Sequence, residues 1–157
     1  MPTLLIADDD AGFRSSIRRV LERDPDTEVI GEAADGKEAV RLARALHPGI
    51  VLMDISMPQM NGLEALRLTK QAWPDTKVIM VTIHDEEPYR TVAMAGGADG
   101  FVLKKAVGTD LLARHPSPHI SLNRTVRRAH SCLVAVGKWR HPLAPLRHSR
   151  RIDSSLT

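Results

Sequence analysis

The chain has 157 residues, which suits one ordinary domain with a short extension and is too short for two domains of average size. Hydrophobic residues make up 43% of it and aromatic residues 3%, a composition typical of a globular protein with an aliphatic core. Cys132 is the only cysteine, which excludes an intrachain disulfide and a CxxC-type metal site. Since no apolar run approaches the roughly 18 residues of a membrane span, we expect a soluble, cytoplasmic protein.

Charge divides the chain into two unlike parts. Residues 1–110 carry 13 Lys and Arg against 18 Asp and Glu, whereas residues 111–157 carry 9 against 1. A basic segment can contact nucleic acid, but this one is interrupted by prolines and poor in aromatic residues. We therefore expect a folded domain at residues 1–113, followed by a solvated, poorly ordered tail at 114–157. Salt-sensitive DNA binding by the tail is the alternative.

Short apolar runs alternate with amphipathic stretches over the first 110 residues. The apolar runs predict five strands: Thr3–Ala7, Glu28–Ala33, Ile50–Ile55, Lys77–Ile83 and Gly100–Leu103. Helical spacing predicts a helix after each of the first two strands and a third over Leu63–Trp73. A fourth is predicted with Glu86, Glu87 and Pro88 in its first turn, closed by the Gly96-Gly97 pair. Because the strands are apolar at successive positions and separated by helices, we expect a parallel sheet with helices on both faces.

Acidic residues follow directly on the first strand, as the run Asp8, Asp9 and Asp10. Ligands of parallel α/β sheets bind beyond the carboxyl ends of the strands, where Asp8 and Asp9 are expected to converge with Asp54 from the third strand. Clustered carboxylates suit a hard divalent cation such as Mg²⁺. The simpler alternative for the run is that Asp9 or Asp10 caps the following helix.

Asp54 ends an apolar run and is expected to be exposed. The loop from Ile55 to Gly62 makes it a poor cap for the next helix, so its carboxylate is a candidate nucleophile that forms an acyl phosphate. Phosphoryl transfer also needs positive charge near the phosphoryl oxygens. Lys104, after the fifth strand, can supply that charge, and Thr82, after the fourth, a hydroxyl. Each alone is more typical of a solvated strand end.

Four segments in this order resemble a known family: LLIADDD, VLMDISMPQMNGLE, IMVTIHDEE and GGADGFVLKKA. They are similar to the receiver domain of two-component response regulators, and most of all to its NarL/FixJ subfamily. The resemblance implies a flavodoxin-like (CheY-like) α/β fold, a doubly wound five-stranded parallel sheet in strand order 2-1-3-4-5. It implies a response regulator that accepts a phosphoryl group from a sensor histidine kinase and switches conformation. Its subfamily regulates transcription through a DNA-binding output domain, which we expect to be lost here or replaced by the basic tail.

At matching positions the resemblance makes Asp54 the phosphoacceptor and Mg²⁺ the cofactor. Asp9 is then a direct metal ligand and Asp8 a ligand through water, with Asp54 and the backbone carbonyl of Ser56 completing the protein ligands. A magnesium-dependent phosphatase of similar topology is the rival enzyme class. Such phosphatases place an acidic general acid two residues after the nucleophile, where this chain has Ser56.

The resemblance also assigns the residues that sense phosphorylation. Thr82 is the hydroxyl that bonds the new phosphate, Lys104 its ion-pair partner, and Phe101 the aromatic side chain that turns inward when the threonine moves. The domain is expected to catalyse only its own phosphorylation and dephosphorylation, so it is not otherwise an enzyme.

The resemblance stops near Ala113. Pro116 ends the predicted fifth helix after one or two turns, so we predict a truncated helix five and an uncovered sheet face. A chain of this kind is expected to be marginally stable, and to aggregate or form a homodimer through that face. The composition of the tail is also what a GC-rich coding region gives when read out of frame, so another frame is predicted to restore the helix.

Overall fold

The computed structural model describes residues 2–107, and no helix in that range is long and apolar enough to cross a membrane. The strands are β1 (Thr3–Ala7), β2 (Glu28–Ala33), β3 (Ile50–Met53), β4 (Lys77–Thr82) and β5 (Gly100–Leu103). The helices are α1 (Ala11–Leu21), α2 (Gly36–Leu46), α3 (Gly62–Ala72) and α4 (Glu87–Ala95), and residues 104–107 begin a further helical turn. All the predicted strands are present, with β3 and β4 ending slightly earlier than predicted. The rest of helix five and the tail lie outside the described residues.

The five strands form one parallel sheet in the order β2-β1-β3-β4-β5, which confirms the predicted fold. β1 pairs with both β2 and β3, so the direction of strand addition reverses there, and ligands of such sheets bind at this reversal. The register pairs Ala7 of β1 with Met53 of β3. The next residues, Asp8 and Asp54, therefore leave the sheet side by side.

The core lies on both faces of the sheet, as predicted, because alternate strand residues point to opposite sides. On one face, Leu5 and Ala7 belong to a cluster that includes alanines of α2, α3 and α4, which explains a core with so few aromatic residues. On the other face, Leu4 and Ile6 pack in a cluster with α1 and with Val107. The start of the fifth helix thus shares the α1 face.

Three helices begin at a side-chain cap. The cap oxygens accept hydrogen bonds from the third amide of each helix: Asp10 from Phe13 at 3.0 Å, Asp35 from Glu38 at 2.8 Å and Asn61 from Glu64 at 2.9 Å. The capping alternative is therefore confirmed for Asp10. The carboxylates of Asp8 and Asp9 remain available for the pocket at the carboxyl ends of the strands.

Candidate functional site

Three carboxylates and one ammonium group meet at the carboxyl ends of β1, β3 and β5: Asp8, Asp9, Asp54 and Lys104, here called the carboxyl-edge cluster. The carboxylate oxygens of the three aspartates lie within 4.8 Å of one another. Two main-chain bonds extend the sheet pairing into this pocket, from the Asp8 amide to Ala33 O (3.0 Å) and from the Asp54 amide to Ala7 O (2.8 Å). The predicted convergence of these four side chains is thus observed.

Lys104 bridges the two buried carboxylates. Its Nζ lies 2.7 Å from Asp8 Oδ2 and 2.9 Å from Asp54 Oδ2, and it also sits 4.6 Å from the centre of the Phe13 ring. Burial lowers the pKa of Lys104, but the two carboxylates outweigh burial and the pKa is raised overall. Lys104 is therefore a permanent cation at neutral pH.

Asp8 is the buried carboxylate of the pocket whose pKa is shifted upward. Burial raises its pKa, the bonds from Lys104 and from the Asp10 amide (2.9 Å) lower it, and the neighbouring charge of Asp54 raises it again. The net result is a pKa above its ordinary value of 3.8. Within the described residues, the hydrogen bonds to Asp8 thus do not fully offset the effect of its burial on the pKa.

Asp54 is only 3% exposed, so the expectation of an exposed carboxylate was wrong. Its Oδ1 accepts the Ile55 amide at 2.7 Å and its Oδ2 binds Lys104. The chain then folds back tightly: the Gly62 amide donates to Ile55 O at 2.8 Å, and a Cβ at Gly62 would overlap the carbonyl oxygen of Asp54. Solvent still reaches the pocket, because Asp9 beside Asp54 is exposed.

The loops after β3 and β4 meet through a histidine that sequence reasoning did not single out. Thr82 is fully buried, and its hydroxyl accepts the His84 amide at 3.2 Å. The His84 Nε2 lies 2.7 Å from Oγ of the exposed Ser56, and its ring stacks on Tyr89 with centroids 4.5 Å apart. The hydroxyl of Thr82 is thus tied to the loop that also contacts Ser56.

Phe101 lies in β5 and is buried, 7% exposed, in the cluster on the α2–α4 face. The Arg90 guanidinium of α4 covers its ring, 4.9 Å from the centroid. The structure thus shows Phe101 in an inward position, and its movement together with Thr82 stays a prediction.

A second aspartate cluster, missed in the sequence, lies at the opposite edge of the sheet: Asp99 with Lys70 and Lys77, here called the Asp99 cluster. The carboxylate lies 2.6 Å from Lys70 Nζ and 3.0 Å from Lys77 Nζ, and it accepts the Val78 amide at 2.9 Å. Burial raises the pKa of Asp99, but these three bonds outweigh burial and lower it overall. Lys70 of α3 and Lys77 of β4 are both distant from Asp99 in the chain, so only the fold reveals the cluster.

The carboxyl-edge cluster fits a divalent cation. Its three carboxylates exceed its one ammonium group by two formal charges. Burial also keeps the pKa of Asp8 above its ordinary value despite the bond from Lys104. Mg²⁺ prefers such oxygen ligands and retains several bound waters. A few carboxylates that are partly open to solvent are therefore enough to bind it. Asp8, Asp9 and Asp54 are the side chains able to hold it.

Comparison with known proteins identifies the family. The model of the response regulator receiver domain matches residues 4–115. The chain therefore belongs to the response regulator receiver family, and it is a receiver domain of two-component response regulators. This confirms the family that the sequence motifs indicated.

Individual relatives agree with the subfamily. The chain is 42% identical to the transcriptional regulatory protein DegU of Brevibacillus brevis over 65% of this chain and 43% of that protein. It is 40% identical to the response regulator UvrY of Escherichia coli O6:H1 over 72% of this chain and 52% of that protein. The receiver domain of a putative NarL from Mycobacterium tuberculosis is 27% identical, with a TM-score of 0.68 over 85% of this chain and 96% of that structure. The chain thus spans about half the length of these curated relatives.

Proposed function

We propose that Asp54 accepts a phosphoryl group from a phosphohistidine on a sensor histidine kinase. A carboxylate oxygen of Asp54 attacks phosphorus, the P–N bond breaks, and the imidazole of the kinase leaves with the electron pair. The observation that carries this proposal is the placement of Asp54 at the centre of the carboxyl-edge cluster, bonded to Lys104 at 2.9 Å and beside Asp8 and Asp9.

The residues around Asp54 are proposed to stabilise the developing charge and to bind the metal ion. Lys104 already binds the Asp54 carboxylate and is placed to follow the developing charge on the phosphoryl oxygens. Asp8, Asp9, Asp54 and the backbone carbonyl of Ser56 are proposed to hold Mg²⁺, which when bound neutralises the phosphoryl oxygens. This division makes the domain a catalyst of its own phosphorylation and dephosphorylation.

Thr82 and Phe101 are proposed to convert phosphorylation into a change of surface. The Thr82 hydroxyl accepts the His84 amide (3.2 Å), and we expect it to move toward a phosphate on Asp54 and donate its proton there, which loosens the loop before α4. Phe101 packs against the same helix through Arg90, so the change is expected around α4 and β5. Phosphorylation then shifts an equilibrium between two arrangements of this face.

Transcription regulation is the proposed output. The name of DegU states that role, and it is carried to this chain only as a proposal because about half of that relative is matched. DNA binding by residues 114–157, and a homodimer, remain predictions on residues outside those described. The domain boundary at residue 113 is likewise a proposal.

Labelling of the full chain tests the proposed phosphoacceptor. With Mg²⁺ and acetyl phosphate, the parent is expected to gain one phosphoryl group and Asp54→Asn none, as measured by intact mass. Asp10→Asn is the matched control, since it changes a neighbouring carboxylate that caps α1. Equal labelling of Asp54→Asn and the parent contradicts the proposal.

A further inference from the structure

A guanidinium lies directly behind the acidic turn that follows β1. Arg14, in the first turn of α1, reaches back so that its Nη1 donates to the main-chain carbonyl oxygen of Asp8 at 2.7 Å. Its Nε donates to Glu32 of β2 at 3.2 Å, and its side chain is 16% exposed. Among the described residues, Arg14 therefore hydrogen-bonds the backbone of the turn formed by Asp8, Asp9 and Asp10. It does not occupy their carboxylates.

The carbonyl of Asp8 belongs to the peptide unit that joins Asp8 to Asp9. Fixing its oxygen fixes the plane of that unit, because the peptide group is planar, and so sets the direction in which the Asp9 Cα leaves the turn. On the preceding side, the Asp8 amide donates to Ala33 O at 3.0 Å, and on the following side the Asp10 amide donates to Asp8 Oδ1 at 2.9 Å. Together with the bond from Arg14, these hydrogen bonds fix the backbone on both sides of Asp9, whose side chain is exposed.

Glu32 holds Arg14 in position. One carboxylate oxygen of Glu32 accepts Arg14 and the other accepts Arg18 Nε at 2.6 Å, so the carboxylate is fixed on both sides. The bond from Arg18 is the largest influence on the pKa of Glu32 and lowers it, although burial opposes it. Glu32 is therefore ionised at neutral pH and offsets the charge of Arg14 beside the pocket.

We propose that Arg14 is a positioning residue for the Mg²⁺ site, acting through the carbonyl oxygen of Asp8 on the orientation of Asp9. The inference rests on the proposed function, since it assumes that Asp9 binds the metal. A purely electrostatic role has the opposite sign: removing a cation near a cation site strengthens metal binding, whereas losing the positioning bond weakens it. The direction of the change thus separates the two roles.

Calorimetric titration of the full chain with MgCl₂, without a phosphodonor, measures this direction. Arg14→Met is expected to weaken Mg²⁺ binding about 10-fold, the lower end of what loss of a ligand-orienting partner costs. Arg14→Lys keeps the charge and one donor, and is expected to fall between the parent and Arg14→Met. Arg41→Met is the matched control: it removes the same charge from an exposed ion pair on α2 and is expected to change the affinity less than about twofold.

Each outcome decides between the claims. Unchanged or tighter Mg²⁺ binding by Arg14→Met overturns the positioning role; if that variant does not fold in a urea titration, parent-like binding by Arg14→Lys overturns it instead. Asp9→Ala separates this failure from failure of the metal site itself. If the parent binds no Mg²⁺, or Asp9→Ala binds it like the parent, the proposed site is wrong and the role of Arg14 falls with it. If Asp9→Ala weakens binding and Arg14→Met does not, only the positioning role is wrong.

Discussion

The two ends of the parallel strands surround their aspartates with opposite balances of charge. In the carboxyl-edge cluster, three carboxylates face one ammonium group, whereas in the Asp99 cluster one carboxylate faces two ammonium groups and a main-chain amide. Burial acts in the same direction on Asp8 and Asp99, yet the pKa of Asp8 is raised and that of Asp99 is lowered. The difference lies in the partners, because only Asp99 has enough of them to offset desolvation.

This contrast separates function from stability. The carboxyl-edge cluster keeps an excess of negative charge that a bound cation relieves, and such strained sites commonly cost stability. The Asp99 cluster is complete without a ligand and joins α3, β4 and the start of β5. We therefore expect substitutions at the first cluster to alter ligand binding and substitutions at the second to alter stability.

The largest expected effect is on metal binding. Asp9→Ala is expected to weaken Mg²⁺ binding by at least the roughly 10- to 100-fold that loss of a ligand-orienting partner costs, because Asp9 is the proposed direct ligand. Asp10→Ala removes the cap of α1 instead, so it is expected to lower stability by about 1 kcal/mol and leave the affinity nearly unchanged. Calorimetric titration measures both affinities, and an equal loss in the two variants would mean that the ligands are misassigned.

The next effect is on stability at the opposite edge. Asp99→Asn is expected to lower the free energy of unfolding by about 1–3 kcal/mol, since it leaves Lys70 and Lys77 without their half-buried carboxylate. Asp85→Asn is the control, because the Asp85–Lys105 pair is exposed and such pairs contribute about 0–1 kcal/mol. Urea unfolding without Mg²⁺ measures both, and an equal loss would remove the distinction between the two environments.

The contribution of Asp99 has a defined pH dependence. Because its native pKa lies below the unfolded value of 3.8, the native state binds fewer protons, so the stabilisation is present above pH 3.8 and is lost as pH falls through the native pKa. The difference in unfolding free energy between the parent and Asp99→Asn is therefore expected to shrink below pH 3.8. A difference that grows on acidification contradicts this assignment.

The features of the fold and the site that can be predicted from the sequence are those set by residues close together in the chain. The strands, and the arrival of Asp8, Asp54, Thr82 and Lys104 at one edge, follow from apolar runs and from the rule that parallel strands point their carboxyl ends the same way. The burial of Asp54 does not follow, because it arises from the close approach of Gly62 and the bond to Lys104.

Contacts between distant segments leave no signal in a single sequence. The bond from Arg14 to Glu32 depends on where α1 lies relative to β2, and Asp99 meets Lys70 only after α3 packs on the sheet. The tie from His84 to Ser56 joins two loops that only the strand order brings together. Tertiary packing therefore determines which residues contact and position the aspartates of both clusters.

The smallest expected effect is on labelling when the Thr82 hydroxyl is removed. Thr82→Ala is expected to accept a phosphoryl group at nearly the parental level, because Thr82 contacts the His84 amide and is proposed to bond the phosphate only after transfer. The response of the loop is expected to weaken, which amide chemical shifts of residues 83–89 report on addition of beryllofluoride. Parental shift changes, or loss of labelling, would contradict this division of roles.

The most direct test of the account is the effect of Mg²⁺ on the unfolding free energy of the full chain, measured in urea for the parent, Asp54→Asn and Asp99→Asn. At a Mg²⁺ concentration about 100 times the dissociation constant, binding to the native state alone is expected to add about 2.7 kcal/mol to the parent. The same gain is expected in Asp99→Asn, despite its lower starting stability, and a much smaller gain in Asp54→Asn. An undiminished gain in Asp54→Asn, or its loss in Asp99→Asn, would contradict the separation of ligand binding and stability between the two edges.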